Sequence, residues 1–246
     1  MRPIKKLYRD DYTGESLVTD LTWEFGAWHL EQEQQPANNY NVEGSTRAIV
    51  IGNGVSRKEF PLHVLKQHQD RNVGQKTFRT YGCNALYRDF TPNFLIAVGD
   101  KIAEEISQTR YTHDNIVYAP ASITTKYPGE FYLIPQDPGW NSGAVATYMA
   151  CFDGHKIVYL FGFDGIEGPN ASLNIYDGTP GYDVAPSYGY SEDYWVKAML
   201  DVFNTYNDVE FIRVMPTEQS RMPEEWKYVT NLRQISVRDF VIEADL

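Results

Sequence analysis

Short, continuous apolar runs recur along this chain, at Ala48–Gly52, Phe78–Cys83, Phe94–Val98, Asn115–Ala119, Phe131–Ile134, Lys156–Phe161 and Val209–Met215. Each is short and unbroken enough to be a strand buried on both faces. Helical spacing is legible in four of the intervening stretches: Pro61–His68, Asp100–Gln108, Ser142–Phe152 and Ser191–Tyr206. The last is the clearest, because Val196, Met199, Leu200 and Phe203 fall at i, i+3, i+4 and i+7. Ser191 stands before it as an N-cap, with acidic Glu192 and Asp193 in the first turn.

Strands that alternate with helices predict an α/β, Rossmann-like three-layer fold with a mainly parallel central sheet and right-handed crossovers. We read the 246 residues as a single domain in three parts. Residues 1–45 form a polar N-terminal arm or edge hairpin, 46–216 the Rossmann-like core, and 217–246 a C-terminal extension that includes a strand over Ile235–Ile242. Gly165–Gly189 is rich in Gly, Pro, Asn, Asp and Tyr without periodicity and reads as a long loop, either a functional lid or disordered.

Composition narrows the partners. With 22 basic against 33 acidic residues the formal charge is −11, which opposes binding to nucleic acid or an anionic membrane surface, and no basic patch overrides it. No apolar run approaches the roughly 18 residues of a membrane span, and the N-terminus lacks the apolar stretch of a signal peptide. The two cysteines, Cys83 and Cys151, have neither metal-ligand spacing nor the density of a disulfide scaffold. A cytoplasmic protein with a small-molecule ligand is the expectation. The 18 tyrosines include Tyr182, Tyr188, Tyr190 and Tyr194 in polar loops, where they hint at a ligand surface or simply sit at loop–core boundaries.

The candidate chemistry lies at strand ends. The segment Ala48–Gly52 runs into Asn53-Gly54-Val55-Ser56 and then a helix, the arrangement in which glycines admit a phosphate near a helix N-terminus. It is not a dinucleotide fingerprint, since Arg57 stands at the third glycine position. Asn53 either bonds a base, sugar or phosphate or takes a left-handed turn conformation. Asn84, Asp100 and Asp164 follow three other strands, and in a parallel sheet these ends share one rim, so all four side chains are expected to converge on one crevice. Asp100 reads equally as a helix N-cap, and Asp164 as a turn-stabilising aspartate. Asn141-Ser142-Gly143 opens a helix and forms a second anion site, or Ser142 is a plain cap. His113 and His155 are the other acid–base candidates, although His155, just before a strand, fits a structural role better. There is no Ser/His/Asp pattern, no Walker loop and no metal-ligand cluster of recognisable spacing.

Over roughly residues 47–216 these pieces resemble the superfamily of bacterial sialyltransferases of glycosyltransferase family 42 and the related DUF115-type, pterin-pyrophosphokinase-like proteins. The resemblance rests on G-N-G-V-S at 52–56, Cys83-Asn84, N-S-G at 141–143 and Ile157-Val-Tyr-Leu-Phe-Gly-Phe-Asp164, all in the expected order. It implies a nucleotide-sugar donor held by Gly52, Asn53, Gly54, Ser56, Asn84, Ser142 and Gly143. Tyr190 then stands where the sialyltransferases carry a catalytic histidine, and with neighbouring loop residues would face the acceptor; Tyr190 and Asp164 are the catalytic candidates. A phenol of ordinary pKa near 10 is a weak base at neutral pH. On the pyrophosphokinase side the resemblance implies Asp100 and Asp164 holding Mg²⁺ between phosphates. Three functions are therefore carried forward: a glycosyltransferase-like, nucleotide-dependent transferase; a Mg²⁺-dependent pyrophosphokinase-like enzyme; and a catalytically inactive nucleotide-binding or assembly module. In the third, the N-terminal arm and the strand over 235–242 make the contacts of a homo-oligomer.

Overall fold

Alternate residues of the buried strands go to opposite faces of one sheet, and that division builds the two halves of the core. In a computed structural model, which describes residues 20–25, 27–32, 47–69, 78–164, 174–182 and 193–246, the central sheet has eight strands. They are β3 (Arg47–Ile51), β4 (Arg79–Cys83), β5 (Phe94–Ile96), β6 (Ile116–Ala119), β7 (Tyr132–Leu133), β8 (Ile157–Phe161), β9 (Glu210–Met215) and β10 (Leu232–Ser236). Every pairing between them is parallel. Ala48, Val50, Tyr81, Phe94, Ile96, Val158 and Leu160 face one side, where α4 (Ser142–Phe152) and α5 (Asp193–Thr205) cover them. Ile49, Ile51, Leu95, Val117, Tyr159 and Phe161 face the other. That side is covered by α1 (His63–Gln69), α2 (Asp100–Gln108), α3 (Ala121–Lys126) and α6 (Val237–Ala244). The result is the three-layer, Rossmann-like α/β architecture that the strand–helix alternation predicts.

The strand order β10-β9-β8-β3-β4-β5-β6-β7 locates the ligand-binding rim. From β3 the chain builds outward in one direction through β7, then returns along α4 and resumes on the other side of β3 with β8. The reversal falls between β3 and β8, and a parallel sheet opens a crevice at the carboxyl ends of its strands at such a point.

Two regions depart from the sequence reading. The stretch 235–242 is not a strand: β10 stops at Ser236, which becomes the N-cap of α6 by accepting the Asp239 amide at 3.1 Å. Val237, Phe240, Val241 and Ala244 have helical spacing, and Ser236 with Asp239 makes a reciprocal cap, the signal overlooked in an apolar run. The helix α3 was not predicted. It is six residues long and Thr-rich, and Thr124 and Thr125 bond back to the carbonyls of Pro120 and Ala121, so propensity marks it poorly. In the N-terminal arm, β1 (Asp20–Glu24) and β2 (Ala27–Gln32) pair antiparallel as a separate two-stranded sheet, not as an edge of the main one. No helix among the described residues is long and apolar enough to cross a membrane.

The helix α6 closes its face with Phe240, whose ring lies 4.8 Å from Phe161, 5.0 Å from Tyr159 and 5.5 Å from Phe60, all edge-on. Phe240→Ala removes a fully buried ring and is expected to cost about 3–5 kcal/mol, read from the denaturant midpoint. The same helix is tied by Glu243, which accepts from Arg233 at 2.7 Å and from Tyr159 at 2.9 Å. Hydrogen bonding to Arg233 holds the Glu243 carboxyl below its ordinary pKa against the opposing effect of burial. A depressed carboxyl contributes stability above its unfolded pKa and loses it as pH falls through the folded value. Glu243→Gln should therefore flatten the loss of stability between about pH 5 and pH 3. An unchanged acid limb in paired unfolding curves would refute this.

Candidate functional site

At the reversal point the sheet comes together through glycine. Gly52 donates its amide to the Phe161 carbonyl at 2.7 Å, and Gly54 to the Gly162 carbonyl at 3.0 Å, so the β3–β8 ladder continues past both strands. A Cβ on Gly52 would lie 2.7 Å from the Gly162 oxygen, and one on Gly54 would lie 2.5 Å from the same atom. Gly162 itself has φ +69°. These glycines thus serve close approach of two strand ends. That corrects the phosphate-cradle reading of Gly52 and Gly54, whose amides are already bonded to β8. The expected helix after β3 is first a 3-10 turn, Val55–Glu59, and its Ser56 amide is also taken, donating to Asp164 Oδ2 at 3.1 Å. Asp164 caps this turn from β8, an anion position filled by the protein itself.

The polar side chains above this join form a linked row. Asn53 donates through Nδ2 to the Tyr182 hydroxyl at 3.0 Å. Asn84 sits in the left-handed region with φ +49° and donates through Nδ2 to Ser142 Oγ at 2.9 Å. The Tyr182 oxygen is also faced by the Asn84 side chain and the Ala85 amide. At the start of α4, Asn141 Oδ1 accepts the Ala144 amide at 3.1 Å, so Asn141 is the cap and Ser142 the first helical residue, not the cap. Gly143 leaves room for Phe163, whose ring would be 3.4 Å from an added Cβ. On the β8 side Arg213, fully buried, donates through Nε to the Phe163 carbonyl at 2.7 Å and fixes the strand exit.

This row carries unmet hydrogen-bonding capacity. Among the described residues, Asn53 Oδ1, Ser56 Oγ, Asn84 Oδ1, Asn141 Nδ2 and Asp164 Oδ1 are buried atoms with no hydrogen-bond partner. Buried polar groups are ordinarily satisfied, and a cluster of unsatisfied ones marks a place built for something else. Their chemistry is uneven. The two amide oxygens and Asp164 Oδ1 offer acceptors, which meet hydroxyl or amino groups and oppose a phosphate. The donor capacity lies at Asn141 Nδ2 and the first turn of α4, whose amides point along the helix axis toward the rim. Burial pushes the Tyr182 phenol up to about 12 and the Cys83 thiol up to about 11. Both stay protonated at neutral pH, so Tyr182 is a hydrogen-bond donor and not a base.

The structure brings together Asn53, Ser56, Asn84, Ser142, Gly143 and Asp164, and leaves Asp100 out. Gly99, not Asp100, is the N-cap of α2, and Asp100 is exposed with its charge facing Lys126. The Mg²⁺ pair of the pyrophosphokinase reading would need Asp100 to reach Asp164 from this exposed position. Among the described residues no group of three or more His, Cys, Asp or Glu side chains could hold a metal ion. Tyr190, Tyr188 and Ser191 lie outside the described residues. His155 is buried below the opposite end of β8, where the Tyr81 hydroxyl bonds it at 3.1 Å and Asp153 at 2.6 Å, and His113 is exposed in the turn before β6. Asn141 and Arg57 are site residues that sequence reasoning passed over. Asn141 was legible as a helix cap, whereas Arg57 was noted only as the break in a glycine pattern.

Fold and site together define a Rossmann-like α/β protein with a linked row of polar side chains at the reversal point of its sheet. No family model matches the chain and no curated protein matches it in sequence. Among solved structures it is similar to the monofunctional alpha-2,3-sialyltransferase Cst-I from Campylobacter jejuni, with a TM-score of 0.51 at 14% identity over 76% of this chain and 81% of that one. An alpha-2,3-sialyltransferase from Campylobacter jejuni in apo form follows at a TM-score of 0.43 and 12% identity, covering 73% and 79%. The sialyltransferase Cst-II in complex with CMP follows at 0.42 and 15%, covering 74% and 85%. What the first of these shares with this chain is the fold.

The join gives a direct test. Gly162→Ala forces a left-handed backbone on alanine and sets its Cβ 2.8 Å from the Gly52 oxygen. The expected loss is about 2 kcal/mol of stability, measured by chemical denaturation; a neutral substitution would show that the join tolerates widening.

Proposed function

We propose that the crevice binds a nucleotide-activated sugar and that the protein is a glycosyltransferase-like, nucleotide-dependent transferase. The observation that carries this reading is the row of five buried, unpartnered polar atoms at the β3–β8 reversal point. Asn53 and Asn84 accept hydroxyl or amino donors of the sugar or nucleoside. Ser56 and Asp164 border the same wall, and Asn141, Ser142 and Gly143, at the α4 N-terminus, take the phosphate side. The occupied amides of Gly52, Gly54 and Ser56 support putting the phosphate at α4. Tyr182 donates to an oxygen of the bound group, and Tyr190 is the proposed residue on the acceptor side. Likeness of fold to a sialyltransferase agrees with this reading.

Calorimetric titration with CMP, CDP, UDP, GDP, ATP and the corresponding nucleotide sugars, with and without Mg²⁺, tests it. Binding of at least one nucleotide sugar without a metal requirement is expected. Asn53→Ala and Asn84→Ala should each weaken that binding about tenfold, the worth of one well-placed hydrogen bond, while the unfolding midpoint moves little. Binding that survives both substitutions would move the ligand out of this crevice, and no binding of any member of the panel would favour a module without a nucleotide.

A further inference from the structure

The segment 174–182 closes back onto the turns that follow β3 and β4, and its attachment is unusually specific. Gly54 and Asn174 form an antiparallel bridge, and the Ile175 amide donates to the Asn53 carbonyl at 2.9 Å. From there the backbone makes two consecutive turns: the Thr179 amide donates to the Tyr176 carbonyl and the Tyr182 amide to the Thr179 carbonyl, both at 2.9 Å. The Tyr176 and Tyr182 rings lie 5.7 Å apart, and residues 176, 179 and 182 are each hooked by a different side chain of the body. Arg57 donates to the Tyr176 hydroxyl at 2.7 Å, Arg88 to Thr179 Oγ1 at 2.8 Å, and Asn53 to the Tyr182 hydroxyl at 3.0 Å.

The two arginines stand on neighbouring turns. Arg57 is in the middle of the 3-10 turn Val55–Glu59 after β3, and Arg88 ends the 3-10 turn Asn84–Arg88 after β4, the neighbouring strand. Arg57 is buried, and a buried guanidinium is tolerated only when its donors are met. It donates to the Gly52 carbonyl at 3.0 Å and pairs with Asp89 at 3.3 Å, while the Tyr176 hydroxyl donates to the same Asp89 oxygen at 2.6 Å. Arg88 makes a two-pronged pair with Glu105 at 2.8 and 2.5 Å and also reaches the Pro180 carbonyl at 2.7 Å. Its guanidinium carbon lies 5.7 Å from the centre of the Tyr176 ring. Gly181, with φ +82°, lies against Ile102 where a side chain would collide, so the segment turns tightly before Tyr182.

We infer that Arg57 and Arg88 are positioning residues of the crevice: anchored by Asp89 and Glu105, they grip Tyr176, Thr179 and Pro180 and so hold the Tyr182 phenol beside Asn53 and Asn84. The inference rests on the reading of the crevice as a ligand site, and its mechanical half can be measured without a ligand. Both arginines act through Tyr182 and neither touches the bound group. The stretch between Gly165 and Gly189 is thus not uniformly a lid, because its central nine residues are fastened at three points.

The test uses the full chain with 3-fluorotyrosine at position 182, read by ¹⁹F resonance, together with amide exchange of peptides covering 174–182. In Arg88→Gln the fluorine resonance should move to the solvent-exposed position and exchange over 174–182 should rise tenfold or more, with β3 and β8 still protected. Arg88→Lys, which keeps the charge and loses the two-pronged geometry, should fall between. Unchanged resonance and exchange in Arg88→Gln would overturn the proposal, as would loss of protection throughout the sheet, which marks a general structural role. Arg57 is buried, so its arm is tested by Asp89→Asn, with the same readouts and outcomes. A titration with the nucleotides and nucleotide sugars of the panel above then separates this inference from the reading beneath it. If the wild type binds one of them, Arg88→Gln should weaken that binding about tenfold, and the same substitution in a Tyr182→Phe background should add nothing; additive losses refute action through Tyr182. If the wild type binds none of them, the reading of the site fails, while fluorine and exchange still decide whether the arginines place Tyr182.

Discussion

Everything at the rim depends on how closely β3 and β8 approach after their last paired residues. The ladder runs from Arg47↔Ile157 to Ile51↔Phe161 and then continues through two glycine amides. Nothing larger than hydrogen fits at Gly52 or Gly54, so the chain leaving β3 stays in contact with the chain leaving β8 instead of splaying from it. That contact delivers Asp164 to the start of the turn after β3 and Asn53 to the open side. It also sets the carbonyl of Asn53 where segment 174–182 can pair with it.

The consequence for chemistry is an inversion of what glycine-rich turns usually offer. Such a turn binds an anion because its amides are unpaired, and here three successive candidates, at Gly52, Gly54 and Ser56, are spent inside the protein. The side chains do the presenting. Because Asn53 and Asn84 each spend their Nδ2 on a hydroxyl oxygen, their Oδ1 atoms are left as buried acceptors with no partner among the described residues. The acceptor oxygen of Asn84 and the start of α4 therefore lie side by side, since Asn84 bonds Ser142.

The eight strands of the main sheet were legible to different degrees. Seven are continuous apolar runs with a strand's length, and they lie within a residue or two of where the pattern puts them. β10 was misplaced because Leu232–Ser236 has mixed polarity at the sheet edge, while the apolar residues just after it belong to a helix. Parallel topology alone predicts Asn53, Asn84, Asp100 and Asp164 on one rim, while Ser142 reads only as the opening of a helix. The direction of their hydrogen bonds was not legible, since it depends on contacts across as many as 129 residues of sequence, as between Asn53 and Tyr182. Asp100 failed for a local reason: Gly99 takes the cap, which starts the helix one residue earlier and turns the carboxyl to solvent.

Two buried arginines complete the argument about the join. The chain carries a formal charge of −11, yet Arg57 and Arg213 are among its most buried residues and flank the two strand exits. Arg57 holds the Gly52 carbonyl on the β3 side, and Arg213 holds the Phe163 carbonyl on the β8 side. Burying a guanidinium costs several kcal/mol unless its donors are met, and here a backbone carbonyl of a strand exit meets part of that need for each arginine. Gly52 and Gly162 have no side chains with which to pack, and glycine backbone is the most conformationally free of any. The glycines permit the close approach and the arginines remove the freedom that comes with it, which is why the breaking of the glycine pattern at Arg57 is part of how the crevice is built.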